Sequence, residues 1–193
     1  MPDVRRHRIV VPTSARCLQR EFLSAAAPDE RERARRAAAG DLTAFGELVR
    51  THEPRLRALL RRLAGDSGDD LAQEVFLAAW RSAAAWRGES AYFTWLARIA
   101  WRRFLSHRRS DRPHNALEDA PELAPCSNID QRLAIEAALA SLPQRERMAA
   151  LLCYAFGYSH IEAAGIIEVP LGTLKSIVAR AKQKLLASLE DEL

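Results

Sequence analysis

Apolar residues recur in this chain with the period of about 3.6 residues that marks an α-helix, in two blocks separated by one aperiodic stretch. Alanine, leucine and arginine dominate both blocks, and the alternating β-branched pattern of strands is missing from them. The separating stretch, residues 111–129, holds three prolines and several acidic residues, which is typical of a linker. The pattern predicts an all-α fold, with two small helical domains joined by a flexible linker.

The same pattern sets the expected boundaries. Residues 1–33 show no clear period and are predicted to be an irregular N-terminal extension. A first helical domain should occupy 34–112, a linker 113–129 and a second helical domain 130–193. Within the first domain we expect one helix capped by Asp41, a second after Pro54, a third over about 69–86 and a fourth over 91–109 with Ser90 as its N-cap.

Composition argues against several function classes. The net charge is only +4 although the pI is about 9.3, so any polyanion site must come from local clusters of charge. The three cysteines are widely spaced and the five histidines form no ligand cluster, so we expect no metal, no cofactor and no catalytic residue. No apolar run approaches the roughly 20 residues that span a bilayer. We expect a cytoplasmic protein that is not an enzyme and has no small-molecule substrate.

The fourth predicted helix carries an unusual outer face. All four tryptophans lie between residues 80 and 101, and six arginines but one aspartate lie between 98 and 112. A helical projection gives an apolar stripe of Phe93, Leu96, Ala97, Ala100 and Phe104. Nearly opposite lie one aromatic and three cationic side chains, Trp95, Arg98, Arg102 and Arg109, with Trp101 on one flank. Aromatic rings among cations suit single-stranded nucleic acid, because bases stack on the rings and phosphates attract arginine. The alternative is tryptophan in the core and arginine on a solvated face.

The third predicted helix has a mixed polar face with a leucine in its middle. The residues of that face are Asp70, Gln73, Glu74, Leu77 and Arg81. An apolar side chain surrounded by polar ones is typical of a protein-binding surface, although a solvated face explains the pattern as well.

The second domain contains a helix-turn-helix pattern. Ser159 and Glu162 have the spacing of a capping box, and Pro170 is suited to the first turn of the next helix. In that next helix the expected buried row is Leu171, Leu174, Val178, Ala181 and Leu185. The opposite side carries Thr173, Ser176, Arg180 and Gln183, with Lys175 and Lys182 along one edge. A helix of this kind can read duplex DNA in the major groove, and a plain helical hairpin with a basic surface is the alternative. The helices before the pattern are expected to place Leu133, Leu139, Leu142, Met148, Leu151 and Leu152 in the core.

Several segments, in this order and spacing, resemble the extracytoplasmic-function sigma factors of the bacterial sigma-70 family. They are GDLTAFGELV from Gly40, DLAQEVFLAAW from Asp70, WRGESAYFTWLARIA from Trp86, LASLPQRER from Leu139, and residues 159–184. The resemblance covers about residues 36–188. It implies a factor that binds core RNA polymerase and directs promoter-specific transcription initiation.

The resemblance also implies roles for particular residues. The mixed face of the third helix, Asp70 to Arg81, would bind core polymerase. The loop Arg87, Gly88, Glu89 and Ser90 would capture an unstacked base of the minus-10 element, with the basic helix behind it holding the melted strand. The recognition helix, including Ala179, would bind the duplex minus-35 element. A further implied partner is an anti-sigma factor, in this family often anchored in the membrane.

Two positions depart from the family pattern. Glu168 occupies the turn position that usually holds glycine, so a left-handed backbone there would be strained by about 1 kcal/mol. Ile177 and Ala179 stand where relatives commonly carry arginine and a larger side chain, so the upstream sequence preference should differ. The competing interpretation is a stand-alone helix-turn-helix regulator that binds duplex operator DNA without polymerase.

Overall fold

The computed structural model describes residues 28–110 and 129–190, and these parts of the chain contain helices and turns without any strand. The predicted all-α fold is therefore confirmed. The helices are α1 (Pro28–Ala38), α2 (Leu42–Ala64), α3 (Gly68–Arg81), α4 (Tyr92–Ser110), α5 (Ile129–Ser141), α6 (Gln144–Ala150), α7 (His160–Ile167) and α8 (Leu171–Glu190). Short 3-10 turns lie at Gly65–Ser67 and Ala83–Ala85, and a π-helical turn, Leu151–Ala155, continues α6.

The N-terminal part of the first domain differs from the sequence prediction. Residues 28–33, assigned to an irregular extension, form the first half of α1, which has acidic residues in its first turn and basic residues in its last. Ala34 and Ala37 are buried where α1 packs against the bundle. The short apolar face of α1 is alanine, which is why its periodicity is hard to see in the sequence. Residues 1–27 lie outside the described part of the chain.

Helix α2 is one continuous helix of 23 residues, not two helices divided at Pro54. Its N-cap is Asp41, as predicted, and the Asp41 carboxylate accepts hydrogen bonds from the backbone N–H groups of Thr43 and Ala44. Pro54 removes one backbone hydrogen bond. Leu48 and Leu56, on either side of Pro54, are both buried in the same core. Packing along one shared face thus outweighs the local cost of proline.

Helix α3 begins where the chain turns sharply after α2. A β-carbon on Gly68 would lie 2.6 Å from the backbone nitrogen of Arg61, so only glycine permits this close approach of the two helices. The helix ends at Arg81 and a 3-10 turn follows, so the prediction of a helix to residue 86 was too long.

Helix α4 contributes its predicted apolar stripe to the core, with Phe93, Leu96, Ala97, Ala100 and Phe104 all buried. Trp101, which the helical projection placed at the flank of the stripe, is also buried, and its ring stacks on Phe104 with centroids 5.8 Å apart. Ala91 occupies the N-cap position, because its carbonyl accepts from the N–H groups of Thr94 and Trp95. The expected cap, Ser90, therefore lies one residue too early.

The second domain contains the predicted helix-turn-helix. Ser159 and Glu162 form a capping box, with the Glu162 carboxylate 2.9 Å from the Ser159 backbone nitrogen. The carbonyl of Pro170 accepts from Leu174, so Pro170 is the N-cap of α8 and not its first residue. Leu142, Met148, Leu151 and Leu152 form the core as predicted, whereas Leu133 is 55% exposed and Leu171 is 37% exposed. Ile177 is buried in the domain core, so it does not belong to the DNA-reading face.

The two domains pack directly against each other. The rings of Phe93 in α4 and Phe156 after α6 stack with centroids 6.0 Å apart, and the Arg55 guanidinium carbon lies 4.2 Å from the Phe93 centroid. The hydroxyls of Thr94 and Tyr158, both buried, are 3.2 Å apart. This contact brings α7 against one face of α4. The predicted linker, 113–129, lies outside the described residues except at Ile129, which begins α5.

Candidate functional site

The predicted protein-binding row of α3 is fully presented to solvent. Its five members, Asp70, Gln73, Glu74, Leu77 and Arg81, are all exposed, and Leu77 is 55% exposed. The opposite side of the helix, with Leu71, Ala72, Val75 and Ala79, is buried. That buried side supplies the apolar side chains with which α3 packs into the bundle. An exposed leucine among carboxylates and amides is therefore left available for a partner.

The loop between α3 and α4 carries the residues predicted to capture a base. Arg87 and Glu89 are exposed, whereas Gly88 and Ser90 are half-buried. Gly88 has a φ of 74°, in the left-handed region that favours glycine. Its carbonyl accepts a hydrogen bond of 3.2 Å from Arg31 Nη2 in α1. The loop is thus held against α1 while two charged side chains project outward.

The aromatic side chains at the start of α4 form a continuous cluster beside this loop. The Trp86 and Tyr92 rings meet edge to face with centroids 5.4 Å apart, and the Tyr92 and Trp95 rings are 5.3 Å apart. Trp95 is half-buried against this cluster. Trp95 is therefore only partly covered by the cluster, and base stacking requires an aromatic ring with some remaining exposure.

The basic face of α4 is partly covered by the second domain. Arg98 is half-buried, and its Nη2 lies 3.3 Å from the position that a β-carbon on Gly165 of α7 would take. Gly165 costs helix α7 about 1 kcal/mol relative to alanine, and the proximity of Arg98 gives a reason for its presence. Part of the cover over Arg98 therefore comes from the other domain.

Arg102, one turn further along, pairs with Glu168 in the turn of the helix-turn-helix. The distance from Arg102 Nε to Glu168 Oε1 is 2.8 Å. Glu168 adopts φ 61° and ψ 52°, and it is the one non-glycine residue with positive φ in the described ranges. The left-handed turn that the sequence suggested is thus formed without glycine. Arg109 is exposed further along the same face.

The recognition helix α8 presents its predicted polar row outward. All seven residues of that row are exposed: Thr173, Lys175, Ser176, Ala179, Arg180, Lys182 and Gln183. On the other side Leu174, Val178 and Ala181 are buried, so this side of the helix packs against its own domain. The outward row leaves the helix able to lie in a groove of duplex DNA.

Arg180 differs from its neighbours because it already has a carboxylate partner. Its Nε lies 3.2 Å from Oε1 of Glu146, and Lys184 Nζ lies 2.8 Å from the other oxygen of the same group. Burial acts to raise the pKa of Glu146, but Lys184 and Arg180 outweigh it and hold the pKa below its usual value. These contacts orient Arg180 at the edge of a cleft of about 710 Å³ that Arg108, Arg145 and Arg147 also line.

Several residues that shape the site were not identified from the sequence. They are Glu30 and Arg31 in α1, His52 and Arg55 in α2, and Phe156 and Tyr158 before α7. Each acts through a partner distant in the sequence, such as Thr94 for Tyr158 at a separation of 64 residues. A half-buried arginine beside two aromatic rings, as at Arg55, has no local sequence signature.

In residues 28–110 and 129–190 no group of three or more His, Cys, Asp or Glu side chains could hold a metal ion. Burial raises the pKa of Cys153 to about 11, which keeps this thiol protonated at neutral pH. No helix within the described segments is both long enough and apolar enough to cross a membrane.

Comparison with protein families finds two matches in tandem. The family model described as sigma-70 region 2 matches residues 48–113, and the model described as sigma-70 region 4 matches residues 132–185. The first match spans the polar row of α3, the loop and α4, and the second spans α5 to most of α8. The two matches thus fall on the two helical domains.

Curated relatives carry names from one family. The chain is 34% identical over 152 residues to the ECF RNA polymerase sigma factor SigM of Mycobacterium tuberculosis, covering 76% of this chain and 78% of SigM. It is 32% identical over 166 residues to the ECF RNA polymerase sigma-E factor of Escherichia coli, covering 76% of this chain and 86% of the relative.

Two solved structures with a similar fold are each described as a complex of two proteins. The sigma factor RpoE in complex with the anti-sigma factor NepR from Bartonella quintana matches with a TM-score of 0.68 and 28% identity, covering 77% of this chain and 98% of that one. CnrH in complex with the cytosolic domain of CnrY matches with a TM-score of 0.65 and 25% identity, covering 86% of this chain and 99% of that one.

Proposed function

The chain belongs to the extracytoplasmic-function sigma factors of the sigma-70 family, which direct promoter-specific transcription initiation by RNA polymerase, and we propose how its described surfaces divide that work. Helix α3 binds core polymerase, the loop and α4 bind the melted minus-10 element, and α8 binds the duplex minus-35 element. The observation that carries this assignment is the outward polar row of α8, opposite the buried Leu174, Val178 and Ala181.

For core polymerase, the proposed contacts are Asp70, Gln73, Glu74, Leu77 and Arg81. The support is their common exposure on one side of α3, with an apolar anchor at the centre. A partner that buries Leu77 gains its transfer free energy, while the surrounding carboxylates, amide and guanidinium provide specificity.

For the minus-10 element, we assign base capture to Arg87, Gly88, Glu89 and Ser90. Strand binding is assigned to Trp95, Arg98, Arg102 and Arg109. Extruding a base costs a few kcal/mol, and stacking on a half-exposed ring together with arginine contacts to phosphates offsets that cost. The geometry adds one condition. Since α7 lies against the half-buried Arg98 and Glu168 is paired with the exposed Arg102, the second domain has to move away from α4 before a single strand can contact the whole of this face.

For the minus-35 element, the proposed readers are Thr173, Lys175, Ser176, Ala179, Arg180, Lys182 and Gln183. Phosphate contacts from the lysines would position the helix, and the shorter polar side chains would reach base edges. The small side chain of Ala179 leaves room for close approach to a thymine methyl group or to the groove floor.

We further propose that an anti-sigma factor regulates this chain. The support is that RpoE of Bartonella quintana, a structural neighbour, is in complex with the anti-sigma factor NepR, and that CnrH is in complex with the cytosolic domain of CnrY. We also propose that this anti-sigma factor is anchored in the membrane, as the family resemblance implies. The expected site of action is the cytoplasm, where core polymerase and promoter DNA are found.

The experiment is run-off transcription with purified core polymerase on promoters identified by mapping transcripts that rise when the protein is overproduced. Promoter-specific initiation supports the proposal. Binding to duplex DNA without any polymerase-dependent initiation would instead support the stand-alone regulator. In the same assay, Trp95→Ala combined with Arg102→Ala should impair open-complex formation while core affinity is unchanged, and loss of core affinity would contradict the assigned faces.

A further inference from the structure

The first turn of α1 contacts both ends of the short segment that leads from the loop into α4. Arg31 Nη2 donates to the carbonyl oxygen of Gly88 at 3.2 Å. Four residues later along the chain, the backbone N–H of Tyr92 donates to Glu30 Oε2 at 3.3 Å. Two adjacent side chains of one helix therefore hold the segment from Gly88 to Tyr92, which includes most of the loop.

Glu30 supplies a cap that the local sequence lacks. The first N–H groups of a helix have no partner within the helix, and a side chain at the N-cap normally accepts one of these hydrogen bonds. The N-cap of α4 is Ala91, which has no acceptor in its side chain. The Glu30 carboxylate takes that place from another helix, and its negative charge also complements the positive end of the α4 dipole.

The Glu30 carboxylate is itself fixed by a second helix. Its Oε1 lies 3.0 Å from His52 Nε2 in α2, and only 14% of the Glu30 side chain and 9% of the His52 side chain are exposed. The His52 ring in turn stacks on Tyr92 with centroids 5.4 Å apart. Burial acts to raise the pKa of Glu30, but His52, the Tyr92 N–H and Arg33 outweigh it, so the group is a carboxylate at neutral pH.

Within the proposed function, on which this inference rests, we propose that Glu30 and Arg31 are positioning residues for base capture at the minus-10 element. They fix the start of α4 and the carbonyl of Gly88, and so define the geometry of a loop whose glycine would otherwise leave it free to move. A binding site selects between similar ligands only when its groups are held within about 0.5 Å of the productive geometry.

The first measurement is amide hydrogen exchange of the full-length protein without DNA or polymerase. Glu30→Ala should speed exchange at Tyr92 and its neighbours about tenfold, the effect expected from loss of one helix cap. Glu30→Gln should restore most of the protection, because its amide oxygen can still accept from Tyr92. Arg35→Ala is the matched control, since Arg35 is an exposed residue of α1 whose partner, Glu32, lies on the same helix.

The second measurement is the preference among bases at the captured minus-10 position, given by initiation rates on promoter variants. Glu30→Ala and Arg31→Ala should reduce the ratio between the best and the other bases several-fold, while affinity for core polymerase is unchanged. A role limited to fold stability would lower the rates on all promoter variants alike and preserve the ratio. Arg31→Ala touches only one exposed contact and keeps the test valid if Glu30→Ala does not fold.

Unchanged exchange at Tyr92 in Glu30→Ala would overturn the proposal, whatever the promoter data show. Faster exchange with a preserved base ratio would also overturn it, because the loop would then not depend on α1 for selection. Failure of the proposed function looks different: the wild-type protein itself would initiate at no promoter, while the exchange result for Glu30→Ala could still be read.

Discussion

The contact between Thr94 and Tyr158 offers a direct test of whether the second domain controls access to α4. The two hydroxyls are 3.2 Å apart, and the residues are 5% and 3% exposed. Tyr158→Phe removes one hydroxyl and leaves the ring in place. The loss of a buried hydrogen bond between neutral groups costs about 1.4 kcal/mol, with one partner left unsatisfied. That penalty applies only when the domains are packed together, because water satisfies Thr94 once they separate.

A change of about 1.4 kcal/mol corresponds to about tenfold in the equilibrium between packed and separated domains. The apparent affinity for a ligand is the intrinsic affinity multiplied by the fraction of protein in the binding-competent state. If the packed arrangement dominates, Tyr158→Phe should strengthen binding to a short random-sequence single strand up to about tenfold. Fluorescence anisotropy with the full-length protein measures this change.

The matched control is Tyr154→Phe, because Tyr154 is in the same segment but is 42% exposed. Its affinity for the single strand should equal that of the wild type. Thr94→Val should resemble Tyr158→Phe, and the double variant should gain no more than either alone, since both remove the same contact. Equal affinity in Tyr158→Phe and wild type, with the same helical content by circular dichroism, would refute the argument that this contact keeps α4 covered.

Three further predictions concern other surfaces. Leu77→Ala should weaken core polymerase binding about tenfold, because it removes a contact that is buried in the complex. Leu42→Ala, which alters a leucine of α2 that is 70% exposed, should leave this binding unchanged. Equal effects of the two substitutions in a binding assay would argue against the α3 row. Glu168→Gly should raise the free energy of unfolding, measured in urea, by about 1 kcal/mol. The reason is that the strain energy of the left-handed backbone exceeds the stabilisation from the exposed ion pair with Arg102. A decrease in the free energy of unfolding would mean that the ion pair contributes more than the strain. The pKa of Glu30 is lowered on folding, so the stabilisation that its carboxylate provides is present above the usual pKa of about 4.5 and is lost as the pH falls through the folded value. The free energy of unfolding of Glu30→Gln should therefore be lower than that of the wild type at neutral pH and approach it in acid. A constant difference between their urea unfolding curves across this pH range would contradict the prediction.

Features set by neighbouring residues could be read from the sequence. The Asp41 cap, the capping box of Ser159 and Glu162 and the outward row of α8 each depend on side chains within a few turns of one helix. The same holds for the α3 row, where periodicity alone separates the buried side from the exposed side.

Local reasoning gave wrong results where distant packing competes with it. Pro54 was expected to end a helix, but the buried leucines on either side belong to one core and keep α2 continuous. Ser90 was expected to cap α4, but Glu30, 62 residues before Tyr92, provides the acceptor. Leu133 and Leu171 were expected in the core and are exposed, whereas Ala163, Ile166 and Ile177 are buried in the same domain.

The amino-acid order alone determined which segments are helical, which side of each helix is polar and which family patterns the chain carries, because helix periodicity and caps act over a few residues. Only the tertiary structure decided that Arg98 lies against the second domain, that Arg102 pairs with Glu168, and that α1 holds the loop between α3 and α4. Those arrangements depend on contacts between residues more than 50 positions apart, such as Arg31 with Gly88 and Arg102 with Glu168. Pairing at such separations is selected by the shape and charge of whole surfaces, which no local pattern encodes.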